Sequence, residues 1–225
     1  MRAFLGVAAV VIVSPQLFAQ EATPKEIRAL VEQLASPNPK PITGSEDKSV
    51  APNFRLPKEF DKTKQKAVHE ARAQLKKLGP SAFPFLIERW EDKRYCVTKS
   101  VGINGYCYNA TVGDVCRDII YDQLQPYGFW PVIDGDPRGK PKRPGYPSKH
   151  LGSAKTAETW FEQHKGKTLF EMQLMVIDWV IEEETKNAGN FTDAEKSTLE
   201  QIRADLIKEG KPINRGNYSN DDIEA

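Results

Sequence analysis

Residues 60–90 read FDKTKQKAVHEARAQLKKLGPSAFPFLIERW, two helical periods separated by a glycine-proline break. Ala67, Val68, Ala71, Leu75 and Leu78 recur at three- and four-residue steps, which places them on one side of a helix and leaves Lys, Arg, Glu and Gln on the other. Gly79-Pro80 ends that helix, because glycine tolerates the cap conformation and proline cannot continue the hydrogen-bond ladder. A second helix is expected from Ala82 to about Glu91, with Pro84 in its first turn, where a missing N–H does no harm, and with Phe83, Leu86, Ile87 and Trp90 inward. So short a connection makes the two helices antiparallel neighbours.

The same periodicity extends in both directions. Toward the C-terminus, Val112, Val115, Cys116, Ile119, Ile120 and Leu124 form one stripe of a helix over 111–125. A later helix carries Ala154, Ala157, Trp160, Phe161 and His164, and a final one carries Leu199, Ile202, Leu206 and Ile207. Between these two, Leu169–Ile181 is apolar on nearly every side, the signature of a core helix. Thr-x-x-Glu capping boxes stand at Thr23/Glu26, Thr168/Glu171 and Thr192/Glu195, where side chains satisfy backbone donors at a helix start. The first opens an N-terminal helix over 20–36 that carries Ile27, Leu30, Val31 and Leu34.

Three segments break the helical pattern. Residues 37–58 are proline-rich, a composition that buries little, and read as a linker. Tyr95–Tyr108 contains Asn104-Gly105, a strong hairpin turn, between the β-formers Val101, Ile103, Tyr106 and Tyr108. Residues 130–151 hold prolines, glycines and the basic residues Arg138, Lys140, Lys142, Arg143 and Lys149, and read as an exposed loop. Residues 211–225 read as a disordered tail.

Leu75, Leu78-Gly79, Ala82, Pro84 and Leu86, with Asp92 and Arg94 beyond, resemble the helical-hairpin unit of HEAT-type (armadillo-like) repeats. The resemblance covers residues 63–94 and extends to the helix at 111–125. It implies an α-helical stack used for protein binding or scaffolding. The expected fold is therefore all-α: an irregular HEAT-like stack of about six helices over residues 59–210, with a small inserted β-hairpin.

The first 20 residues set the expected compartment. Arg2, an apolar run from Ala3 to Val13, Ser14-Pro15 and a segment ending in Ala19-Gln20 follow the order of a secretory signal peptide, with cleavage near Ala19. An 11-residue apolar run is too short to span a bilayer, which needs about 20. The mature chain is expected to be secreted or periplasmic, without a transmembrane span. Without residues 1–19, Lys+Arg falls from 32 to 31 against 31 Asp+Glu, so no global field draws in nucleic acid. In an oxidising compartment, Cys96 and Cys107 are expected to pair across the hairpin, since Cys116 lies on the buried stripe.

Motifs for chemistry fail on spacing. Gly166-Lys167-Thr168 lacks the first glycine of a phosphate loop, where Phe161 stands. Asp134-Gly135-Asp136-Pro137-Arg138-Gly139 begins like a calcium loop, but Arg138 takes a ligand position and Gly145 replaces the terminal glutamate. His69, His150 and His164 are scattered. No catalytic residue, metal or cofactor is expected. Aromatic placement says more, since six of the seven tyrosines lie between Tyr95 and Tyr146, on segments rich in Gly, Asn and Pro. The expectation is a non-catalytic module that binds a protein partner through Tyr95, Tyr106, Tyr108, Trp130, Arg138, Lys142 and Arg143. Two alternatives stand beside it: a binder of an anionic or carbohydrate polymer, and an enzyme whose site assembles only in the fold.

Overall fold

The computed structural model describes residues 22–44, 54–101, 106–125, 150–186 and 193–213. These residues are mostly helical, with two small antiparallel strand pairs. The helices are α1 (Pro24–Glu32), α2 (Lys62–Leu78), α3 (Phe83–Ile87), α4 (Val112–Leu124), α5 (Ala154–His164), α6 (Leu169–Lys186) and α7 (Asp193–Glu209). The strands are β1 (Ile42–Thr43) with β2 (Phe54–Arg55), and β3 (Tyr95–Val101) with β4 (Tyr106–Thr111).

α4 is the hub, because its buried stripe of Val112, Val115, Cys116, Ile119, Ile120 and Leu124 meets α2, α3, α6 and both strands of the β3–β4 ribbon. α1 lies on α2 and α3, α5 lies on α3, and α6 and α7 pair with each other. The N-terminal helix is thus docked: Arg28 pairs with Glu88, and Glu32 pairs with Arg89 and Arg94.

Capping follows the sequence at two of the three expected places. Thr23 with Glu26 closes a reciprocal box on α1, and Thr168 with Glu171 does the same on α6. The third, at Thr192, lies outside the described residues. Two further boxes use shorter partners that the Thr-x-x-Glu pattern does not catch: Thr111 with Asp114 on α4, and Ser153 with Thr156 on α5.

Several expectations are corrected. Cys96 and Cys107 are buried but not bridged. Cys107 stands opposite Ser100, four residues along the strand from Cys96. At about 3.3 Å per residue that separates them by roughly 13 Å, about twice what a disulfide spans. The supposed linker is packed over its described part, with Pro41, Thr43 and Gly44 buried and β1 paired to β2. Its polar backbone is met by side chains instead of water, as when Asn109 Nδ2 donates to the Pro41 carbonyl at 2.7 Å.

The second helix of the 60–90 segment is also shorter than expected. A 3₁₀ turn, Gly79–Ala82, takes up the redirection, and five-residue α3 packs chiefly on α4 and α5. On α2, Ala67 faces solvent while Gln65 and Arg72 are buried beside Val68 and Leu75. α6 buries Met172, Gln173, Val176, Ile177 and Val180 on one side and leaves Leu174, Met175 and Trp179 only half-covered, so it is not enclosed all round. Ile207, expected inward, is 51% exposed. The start of the tail is ordered against the core, where Ile213 N–H donates to Gln173 Oε1 at 2.9 Å and Gln173 Nε2 donates to the Ile213 carbonyl at 3.0 Å.

Candidate functional site

Two of the expected partner-binding residues, Tyr95 and Tyr108, line one open pocket of about 350 Å³. They reach it from different strands. Tyr95 begins β3, where it stands opposite Thr111, and Tyr108 lies three residues before Thr111 on β4. Asn109 and Ala110 complete the β4 side, Lys93 precedes β3, and Lys40 and Thr43 come from the packed segment at β1.

A hydrogen-bond chain holds these walls together. Thr98 Oγ1 donates to Asn109 Oδ1 at 2.8 Å. Its single proton is then used, so the 3.0 Å contact with Tyr95 is one in which the phenol donates. The other end of the Asn109 amide holds the Pro41 carbonyl, and Ser36 N–H donates to the Tyr95 carbonyl at 2.9 Å. The β1 segment is therefore tied to the ribbon, and the pocket is built into the fold.

Its electrostatics are one-sided. Among the described residues, two lysines and no carboxylate line it. Lys40 and Lys93 are both exposed, and Lys93 meets Glu91 only loosely, at 3.8 Å with both side chains mostly in solvent. Such a pair contributes little. The N-terminus of α4 opens beside the pocket at Thr111, but Asp114 already accepts from the Thr111 N–H at 2.9 Å and from its hydroxyl at 2.7 Å. Burial pushes the Asp114 carboxyl up, yet these Thr111 bonds and Arg117 outweigh it and hold the carboxyl below its ordinary range.

Two other concavities offer less. One of about 600 Å³ lies between α1 and α2, where Ala29, Leu30 and Leu78 face Gln33, Gln74 and Lys77 and the carboxylate of Glu26 is engaged in its cap. Another, of about 480 Å³, lies along α6 at Leu174, Met175 and Trp179. Its acids are all engaged: Glu171 in a cap, Asp178 with Arg203, and Glu182 with Lys186.

A buried ionic cluster between α2, β3 and α4 had no sequence signal. Lys99 Nζ, on a side chain 2% exposed, meets Asp118 at 2.5 Å, and Lys76 meets Asp122 at 3.0 Å. Burial lowers the Lys76 ammonium from its ordinary value against the pull of Asp122, with Arg72 and Lys99 adding to the depression. Alternation along β3 could not have flagged Lys99 as inward, because Cys96, Val97, Thr98 and Lys99 are all buried.

The remaining expected residues divide plainly. Tyr106 lies on β4, but its side chain is outside the described residues, as are Trp130, Arg138, Lys142 and Arg143. The structure thus brings together only the ribbon part of the expected surface. Among the described residues no group of three His, Cys, Asp or Glu side chains could hold a metal, and no helix is long and apolar enough to cross a membrane. No protein family, curated protein or solved structure matches the chain.

Proposed function

We propose that this chain is an exported, non-catalytic binding module that recognises a protein partner through the tyrosine-bearing face of the β3–β4 ribbon. The observation that carries the reading is the convergence of Tyr95 and Tyr108 on one pocket whose walls are cross-tied by Thr98, Asn109 and Pro41. Half-buried tyrosines on a fixed frame contribute contact area at small entropic cost, which suits an interface anchor. A HEAT-like stacking of α2, α3 and α4 belongs to the same proposal; its support is the position of α4 between α2, α3 and α6.

The test is a photo-crosslinking residue placed at position 108, and separately at exposed Lys155 on α5, in protein produced in its own host. One partner crosslinked from position 108 and lost with Tyr95→Ala is the expected result. Crosslinks from position 155 alone would remove the ribbon as the binding face.

A second reading, binding of an anionic or carbohydrate polymer, is favoured by the presence of Lys40 and Lys93 on the rim of the same pocket. Such binding to an anionic polymer would weaken steeply with added salt.

A further inference from the structure

A peptide seat lies where α6 meets the end of α4, and the chain's own C-terminal segment sits in it. We propose that Gln173 reads the backbone of an extended peptide, that residues 211–213 fill this seat as an internal plug, and that a partner segment with a proline followed by an aliphatic residue takes it when the plug leaves. The seat shares no residue with the ribbon pocket, so it stands or falls independently of that reading.

The amide of Gln173 is the first argument. The side chain is fully buried on α6, so a polar atom of it left without a partner is costly. Its Nε2 donates to the Gln123 carbonyl near the end of α4 at 2.7 Å and to the Ile213 carbonyl at 3.0 Å, while its Oε1 accepts from the Ile213 N–H at 2.9 Å. Ile213 therefore meets the amide through both of its backbone polar groups, as a residue meets its partner in a strand ladder. Such a contact recognises main chain, and only a residue that carries an N–H completes it.

The occupant's chemistry is the second. Gly210, with φ of +62°, ends α7 while its N–H still donates to the Leu206 carbonyl at 3.0 Å, so the chain leaves the helix at that residue. Pro212 has no N–H to offer and holds its own φ fixed, which leaves Ile213 as the residue that pairs. The Ile213 side chain packs against the core, whereas Lys211 is exposed. The seat thus selects an aliphatic residue after a proline and asks nothing of the residue before it. Tethering makes the plug autoinhibitory: a short flexible connection holds it at an effective concentration on the order of a millimolar, which a free segment of equal intrinsic affinity must exceed. Eviction of the plug removes two hydrogen bonds from a buried amide, and a segment that restores them is favoured there.

The probe is a terminally blocked peptide that copies residues 210–215, Gly-Lys-Pro-Ile-Asn-Arg, titrated into the full wild-type chain and into the full chain carrying Ile213→Asp, which evicts the plug. The Gln173 side-chain NH2 signals are followed by NMR. The same peptide methylated on the isoleucine nitrogen, and one with aspartate in place of isoleucine, are the comparison ligands. Binding to Ile213→Asp that shifts the Gln173 signals, is at least about tenfold tighter than binding to wild type, and falls at least about tenfold on N-methylation is the expected result. Should Ile213→Asp not fold, Ile213→Ala weakens the plug while keeping its backbone and carries the same titration. Failure of the peptide to bind the folded variant overturns the seat. Equal binding of the N-methylated or the aspartate peptide overturns the backbone reading or the aliphatic requirement, respectively. Equal affinity for wild type and variant overturns the plug.

Discussion

The side-chain amide of Asn38 pairs with both backbone polar groups of Asp61: Asp61 N–H donates to Asn38 Oδ1 at 2.9 Å, and Asn38 Nδ2 donates to the Asp61 carbonyl at 2.9 Å. A single side chain thus imitates one rung of a strand ladder, at the N-cap of α2. The adjacent Gln65, fully buried, accepts from Ser36 Oγ at 2.8 Å and donates to the Cys96 carbonyl at 2.8 Å. Together they join the segment after α1, the start of α2 and the ribbon. Asn38→Asp replaces the donor with an oxygen facing the Asp61 carbonyl and Gln65 Oε1, so it should cost more than Asn38→Ala. A loss of about 2–3 kcal/mol in urea unfolding is expected, since a buried polar group is left facing like charge. Equal stability of Asn38→Asp and wild type would mean that the amide pairing contributes nothing.

Glycine at position 113 has a packing reason. A Cβ built there would lie 2.3 Å from the Trp90 carbonyl oxygen, 2.9 Å from its carbon and 3.1 Å from the Asp92 oxygen. The α4 backbone crosses the end of the α3 turn at this point, and Gly113 N–H donates to the Asp92 carbonyl at 3.0 Å. In an open helix glycine to alanine gains about 0.5–1 kcal/mol. Here Gly113→Ala should lose about 3 kcal/mol, because backbone cannot yield as a side-chain tip does. Gly166→Ala is the comparison: it meets nothing within 4 Å but has φ of +87°, and should lose only about 1–2 kcal/mol. A Gly113→Ala protein as stable as wild type would contradict this packing.

The two partners of the buried ion pair differ in burial, and the cost of removing each follows. Lys99 is 2% exposed and Asp118 is 35% exposed. Asp118→Asn strands an ammonium away from water, whereas Lys99→Met leaves a carboxylate that still reaches solvent. Asp118→Asn should therefore destabilise by about 3–5 kcal/mol and Lys99→Met by clearly less. Chemical denaturation of both variants decides it; the reverse order would show that water reaches Lys99.

How legible this was in the sequence depends on the kind of signal. The apolar stripe of α4 and the Thr23 and Thr168 boxes were legible because helical period and capping are local. Tyr95 and Tyr108 were legible as surface aromatics in a turn-containing segment only by composition, and nothing local showed that Lys40 would meet them. The packed character of residues 33–44 was hidden because its order comes from Asn38, Gln65 and Asn109, partners more than 20 positions away in most cases. Gln173 read as a polar break on an apolar helix for the same reason; its partners are the backbones of Gln123 and Ile213. The error over Cys96 and Cys107 arose from strand register, which sequence spacing leaves open.

Acid should weaken the fold partly through Asp92. Its carboxyl is held below the ordinary carboxylate range, first by hydrogen bonding from the Arg94 side chain, including 2.6 Å from Arg94 Nη2. The folded-state value lies below the unfolded one, so this stabilisation is fully present above the unfolded value of about 3.8 and disappears as pH falls through the folded value. Asp92→Asn should be less stable than wild type at neutral pH, and the two melting curves should converge as pH falls below the unfolded carboxyl value and through the lowered folded one. A gap that stays constant over that range would assign the Asn defect to packing near Gly113 instead.

The three thiols provide the last test, because they connect register to compartment. Cys96, Cys107 and Cys116 are all buried and unbridged, and burial pushes the Cys116 thiol up to about 12. A thiol so shifted carries almost no thiolate at neutral pH, and thiolate is the reactive form. Protein purified from its own host without reductant should therefore react slowly with a thiol reagent when folded and release three reactive thiols per chain in denaturant. One reactive thiol in denaturant, with peptide mapping that places the lost pair at Cys96 and Cys107, would require a bridge that the pairing of Cys107 with Ser100 forbids. The ribbon would then have to slide by several residues, and Tyr108 would leave its place opposite Lys99 and its pocket partner Tyr95 on β3. The thiol count thus tests the register on which the pocket depends, whether or not the chain is exported.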